Sequence, residues 1–184
     1  SLSCGQNHTR DSWQRPQAIM DSIGVREGLT IGEAGAGTGY FTFHLAARVG
    51  SSGKVFANDI DRGVLEDIDE RRERESLTNI ETIVGEVDDP LFPKGRLDMV
   101  VMMNAFHDFT EPTTWMRNVI PSMKPSATLV IIDRDPDKMQ SSWNHFMTKN
   151  QILEAMSATD FTIVRILTFL ERDNVYVFRL ADSP

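Results

Sequence analysis

Apolar residues along this chain recur in two alternating rhythms. Short runs that are apolar or strictly alternating read as strands at 29–34, 54–58, 80–84, 97–103 and 128–133. Between them lie segments with helical spacing. Pro16 suits the first turn of a helix over 16–23 that Gly24 closes, and Phe41, Leu45, Ala46 and Val49 repeat on one face before Gly50. Val64, Leu65 and Ile68 face inward on a helix over 62–76, whose Asp67/Arg71 and Glu70/Arg74 spacings make its charge run a solvated face. A further helix is expected over 113–123, and 134–147 reads as an irregular crossover. Thr148 and Gln151 have capping-box form and open a helix to about Ser157. The tail predicts two strands, 161–169 and 175–180, joined as a hairpin through 171–174.

Strands alternating with helices imply a single α/β domain with a doubly wound sheet and helices on both faces. The sheet has seven strands, mostly parallel, with an antiparallel strand contributed by the C-terminal pair. Residues 1–12 are polar and aperiodic and read as a flexible arm, leaving 13–184 as the domain. A chain of 184 residues with 40% apolar and 25% charged positions supports one such core.

The net charge of −8 argues against nucleic acid or an anionic membrane surface as a partner. The longest apolar runs are too short to cross a bilayer. One cysteine, Cys4, allows no intrachain disulfide and fits a reducing cytoplasm, although a start at Ser1 hides any removed targeting segment. A homodimer is compatible with the chain, but no segment argues for one.

Four of the 12 glycines fall within 32–39, between the first strand and the helix after it. That is the carboxyl edge where open α/β sheets bind ligands. Missing Cβ atoms there let main-chain amides approach a ligand. The spacing Gly35-x-Gly37-x-Gly39, with Glu33 two residues ahead, differs from the G-x-G-x-x-G of nicotinamide dinucleotide folds.

Glu33-Ala34-Gly35-Ala36-Gly37-Thr38-Gly39 fills every position of E/D-x-G-x-G-x-G, and from about residue 13 to 180 the chain resembles class I S-adenosylmethionine-dependent methyltransferases, which are Rossmann-like. The resemblance implies S-adenosylmethionine as cofactor, with S-adenosylhomocysteine as product, and a small-molecule methyl acceptor. It places Glu33, Ala34, Gly35, Gly37, Gly39 and Tyr40 around the methionine part. Asp59, ending the second strand 24 residues after Gly35, would hold the ribose hydroxyls, with Asp61 as the better helix cap and Ile60 against adenine. In Gly85-Glu86-Val87-Asp88, either Glu86 or Asp88 would accept from the adenine amino group, beside Val87. Asn104 would meet the cofactor's amino group. Where amine- and amide-directed relatives carry a proline pair after this position, the chain has Ala105-Phe106, which does not support that chemistry.

His107 is the candidate base, with Asp108 as its orienter, although sequence neighbours on a helix do not face each other. A structural role for this histidine is the alternative. His145 is a weaker candidate, while His8 and His44 read as structural or exposed. Trp13, Gln14, Phe106, Met139, Trp143 and Phe146 are the candidate acceptor contacts. Asp133, Asp135 and Asp137 alternate, but lack the glycine and glutamate of a calcium loop and the Asp-Asn pair of magnesium-dependent relatives, so no metal is expected. A cofactor-binding protein without catalysis and a nicotinamide oxidoreductase are the alternatives to a methyltransferase.

Overall fold

The structure, a computed structural model, describes residues 10–139 and 145–181. His8, Trp143 and Cys4 lie outside them. In chain order the elements are α1 Pro16–Ile23, β1 Thr30–Ala34, α2 Tyr40–Val49, β2 Lys54–Asp59, α3 Arg62–Arg74, β3 Ile80–Val84, β4 Leu97–Met103, α4 Pro112–Val119, β5 Met123–Arg134, α5 Lys149–Ser157, β6 Phe161–Leu167 and β7 Asp173–Leu180. The seven strands form one sheet in the order β3-β2-β1-β4-β5-β7-β6. The first five are parallel, and β7 runs antiparallel to both β5 and β6.

Alternate residues of the central strands enter different cores. Val101 and Val130 join Ile31 and Val55 under α1 to α3, while Val100, Met102 and Leu129 pack with Trp115, Met116 and Ile152 of α4 and α5. Covering on both faces is why β4 and β5 read as nearly continuous apolar runs. Strand order reverses between β1 and β4, which opens a crevice at their carboxyl ends. Register carries the crevice outward, since Ala34 lies opposite both Asn58 and Met102, and Met103 lies opposite Ile132.

Several expected boundaries move. The helix over 113–123 stops at Val119 because Pro121 forces a 3-10 turn over Ile120–Ser122, and Met123 then pairs with Leu97 as the start of β5. The hairpin connection lies at 168–172 rather than 171–174: β6 ends at Leu167, and Asp173 and Asn174 are already strand, buried opposite Arg134 and Asp133. On α3 the shortest ion pairs are Arg71–Glu75 at 2.9 Å and Arg72–Asp69 at 2.6 Å rather than the expected spacings, and Asp69 also accepts from Thr82 on β3. The arm does not extend to residue 12. Residues 10–14 are helical, with the Arg10 guanidinium 3.7 Å over the Tyr40 ring and Asp11 accepting from the Tyr40 hydroxyl at 2.6 Å. No helix among the described residues is long and apolar enough to cross a membrane.

Candidate active site

The β1–α2 turn takes the left-handed conformation at Gly35, Gly37 and Gly39, with φ of 68°, 53° and 87°. At Gly35 a Cβ would overlap the Cβ of Ala105, so the loop after β4 packs directly on this turn. At Gly37 a Cβ would meet nothing, and its amide donates to Asp59 Oδ2 at 2.9 Å. Asp59 therefore ties the glycine turn to the end of β2. Its other oxygen accepts from the Asp61 amide, and Asp61 in turn caps α3 through the Gly63 amide. Asp61 is the cap, which leaves the Asp59 carboxylate at the crevice wall.

Two adjoining clefts of about 440 Å³ each share Gly35 and Asn104. Asp59, Ile60, Glu86, Val87, Asp108 and Trp115 line the first. Glu33, Ala36, Gly37, Tyr40, Arg10 and Arg134 line the second. Asp88 lines neither. The turn closed by the Glu86 amide on the Asp89 carbonyl sends the Asp88 main chain toward α4, where its carbonyl accepts from Asn118. Of the two acids expected at adenine, only Glu86 faces the cleft.

Asn104 sits on the shared edge with φ of 53°, a conformation in which Asn is one of the few favoured residues. Its amide nitrogen donates to Gln14, whereas its buried Oδ1 has no partner among the described residues. Gln14 is itself buried and donates to Asp173 at 2.6 Å, so it supports the wall rather than an acceptor. Phe106 is likewise sequestered in the core, contrary to its expected acceptor role.

Glu33 is buried, and Thr42 donates to it at 2.5 Å. Burial pushes its carboxyl up to about 8, against smaller downward effects of the Thr42 hydroxyl and the Arg10 charge. An acid raised in the folded state weakens folding once it ionises in the unfolded chain. The penalty is absent below the ordinary value of 4.5, grows as pH rises, and levels off above about 8. Ligand-free wild type should therefore lose stability relative to Glu33→Gln between pH 5 and 8, by up to about 1.4 kcal/mol per pH unit. Urea unfolding at several pH values measures this, and parallel curves for the two proteins would refute it.

The Asp108 orienter is replaced by one from another strand. His107 Nδ1 lies 2.8 and 2.9 Å from the two oxygens of Asp133, at the end of β5, and the His107 amide donates to the same carboxylate. A carboxylate can only accept, so Nδ1 carries the hydrogen and Nε2 is left free. Burial disfavours the imidazolium, but the Asp133 hydrogen bond and charge outweigh it and raise the His107 pKa. Asp108 lies on the opposite side, 3.5 Å from Nε2. The rings of His145 and Phe146 stand edge-on to His107, and the Arg134 guanidinium bridges Phe146 and Trp13.

Sequence reasoning missed Arg10, Asp133 and Arg134 as site residues. Arg10 was assigned to an arm. Asp133, however, ends its strand at the same sheet edge as Asp59, a signal that could have drawn it in.

A family model described as "Methyltransferase domain" matches residues 26–179. The chain belongs to the class I S-adenosylmethionine-dependent methyltransferases. This methyltransferase domain is 31% identical, over 67% of its length, to a demethylmenaquinone methyltransferase of Lactococcus lactis, of which it covers 48%. It is 25% identical over 66% of its length to a ubiquinone/menaquinone biosynthesis C-methyltransferase of Idiomarina loihiensis, again covering 48%. The chain thus spans about half the length of the curated relatives it matches. Among solved structures it superimposes on a methyltransferase of Aquifex aeolicus with a TM-score of 0.86, at 21% identity over 94% of this chain and 93% of the other. A geranyl diphosphate C-methyltransferase of Streptomyces coelicolor, crystallised with magnesium, geranyl diphosphate and S-adenosylhomocysteine, gives 0.75 at 14% identity over 95% and 82%. These two likenesses establish the shared fold.

Proposed function

We propose that this domain methylates a small, apolar or aromatic acceptor carrying an ionisable oxygen, from S-adenosylmethionine. The observation that carries the reading is the pair of clefts joined at Gly35 and Asn104, which matches a ligand with a nucleoside at one end and a zwitterion at the other. Asp59 and Glu86 are the acceptors for the ribose hydroxyls and the adenine amine, with Ile60 and Val87 as its exposed apolar walls. In the second cleft the zwitterion meets an acid and a guanidinium group. Glu33 and the unpartnered Asn104 Oδ1 suit its ammonium, while Arg10 suits its carboxylate and Arg134, between Trp13 and Phe146, is left to the acceptor. Burial of Glu33 makes it a strong site for that ammonium, because pairing restores its ionised form.

The cofactor supplies an activated methyl carbon bonded to sulfonium sulfur. What remains for the protein is alignment, worth about 7–11 kcal/mol in favourable cases. The acceptor is assigned to the side lined by Trp13, Arg134, Phe146 and His107, where aromatic edges and one guanidinium fit an apolar ring with an anionic oxygen. The names of the quinone-methylating relatives agree with that class. His107 Nε2, on the ring that Asp133 fixes, is the atom that faces the acceptor side.

S-adenosylhomocysteine at about 100 times its dissociation constant should stabilise the protein by about 2.7 kcal/mol. For a domain of this size that raises Tm by about 5–10 °C. NAD should leave Tm unchanged. A rise with NAD and none with S-adenosylhomocysteine would overturn the assignment.

A further inference from the structure

At the edge of the first cleft, which Asp108 lines, stands a cluster that the proposed cofactor contacts leave unused. His107, Asp108 and His145 each offer one ligand atom, and these atoms all lie within 4.8 Å of one another. Asp108 separates the two rings: Oδ2 lies 3.5 Å from His107 Nε2, and Oδ1 lies 3.4 Å from His145 Nε2. Both distances exceed the 2.7–3.2 Å of a well-formed hydrogen bond. They are close to the separation of neighbouring ligands on one tetrahedral cation, with a different Asp108 oxygen facing each ring. With metal–ligand bonds of about 2.0–2.2 Å, neighbouring ligands stand about 3.4 Å apart.

The surroundings of His107 point the same way. Asp133 is fully buried, and both its oxygens face Nδ1, so the ring is locked with its Nε2 lone pair toward Asp108 and His145. A carboxylate behind the remote nitrogen is the usual support of a metal-bound histidine, fixing its tautomer and raising its basicity. Phe146 stands edge-on at 4.7 Å and helps close off the His107 ring, and the His107 side chain is 4% exposed. Asp108 and His145 remain accessible, with side chains 62% and 59% exposed. The inner ligand is thus fixed, and the outer two can close on a cation arriving from solvent.

We propose that His107 Nε2, the Asp108 carboxylate and His145 Nε2 form a divalent transition-metal site, of the kind that takes Zn2+, on the acceptor side of the cleft. Two imidazoles and one carboxylate suit Zn2+ or Co2+ better than Mg2+, which prefers oxygen donors and keeps its waters. Three protein ligands leave a fourth position open, the pattern of a catalytic rather than a structural site. The inference rests on the reading above and gives that site its means of activation. A cation held by these three residues would supply Lewis acidity at the open position, so that an acceptor hydroxyl placed there would lose its proton to solvent more readily. The resulting anion then attacks the methyl carbon as the carbon–sulfur bond breaks, with no change of oxidation state. The alternating acids of 133–137 take no part beyond Asp133, which explains why a search for contiguous ligands points to no metal.

Untagged protein treated with a chelator and then titrated with Co2+ tests the site without any acceptor. One equivalent should bind and produce the visible absorption of tetrahedral cobalt, and Mg2+ should neither bind comparably nor displace it. His145→Ala should weaken Co2+ binding at least tenfold, and so should Asp133→Asn, with the band shifted or lost. Because His145 is exposed, its variant should keep the wild-type Tm and the wild-type affinity for S-adenosylhomocysteine. The absence of stoichiometric binding, or binding that His145→Ala leaves unchanged, would overturn the site. Failure to bind S-adenosylhomocysteine with Co2+ binding intact would instead overturn the cofactor reading.

Discussion

Asp59→Ala should lose S-adenosylhomocysteine affinity by a factor of at least 100 while changing Tm by no more than a few degrees. The carboxylate ends β2 at the wall of the first cleft, and two hydroxyls bound to it would each be worth about 1.5–3 kcal/mol. The combined loss, about 3–6 kcal/mol, corresponds to about 10²–10⁴ in the dissociation constant. Part of the effect is indirect. Asp59 also accepts from the Gly37 amide, so its removal frees the glycine turn that lines the second cleft. The fold should survive because Asp61, not Asp59, caps α3. Titration calorimetry on a variant shown to be folded measures this, and an unchanged affinity would mean that the ribose lies elsewhere.

Gly35→Ala should damage both the fold and the site. Its φ of 68° costs a residue with a Cβ about 1–2 kcal/mol. The new methyl group would also overlap Ala105, adding about 1–3 kcal/mol of overpacking. Together these should lower Tm by on the order of 10 °C. Cofactor affinity should fall with it, because Gly35 lies on the edge common to both clefts. Gly37→Ala separates the two effects. Its methyl would meet no protein atom, so it should incur only the left-handed cost that its φ of 53° imposes, lose less stability than Gly35→Ala, and still obstruct the cofactor. Thermal unfolding of the two variants side by side checks the contrast, and equal Tm values would refute the packing argument.

The elements most legible beforehand were those whose signals are local. Gly24, Gly50 and the Thr148–Gln151 box stand where helices begin or end, because a left-handed residue or a capping side chain acts within one turn. The start of β5 was less legible. Met123 is strand only because Leu97 lies opposite it, and nothing between Pro121 and Thr128 alternates. Asp173 and Asn174 look like turn residues until Gln14 and Asp135 supply their partners from far along the chain.

The same division runs through the site. Glu33, the glycines and Asp59 belong to stretches that fold by local rules, and the structure sets them along the two clefts. The choice between Glu86 and Asp88 depended on how the turn after β3 leans toward α4, which no spacing encodes. The partner of His107 depended on sheet register. Parallel pairing of β4 with β5 sets Met103 beside Ile132, and so brings the loop after one strand onto Asp133 at the end of the other. Sequence adjacency suggested Asp108 and set it on the wrong side of the ring.

By itself, the sequence determined the layered α/β architecture and the class of cofactor, because periodicity, caps and a glycine turn are written within a few consecutive residues. Only the tertiary structure decided which distant side chains work as pairs: Asp133 behind His107, His145 across Asp108, and Arg10 at the cleft of Glu33. Those meetings follow from strand order and from chain crossings that bring together residues between about 20 and 40 positions apart, at separations where the chain carries no local signal of what it will touch.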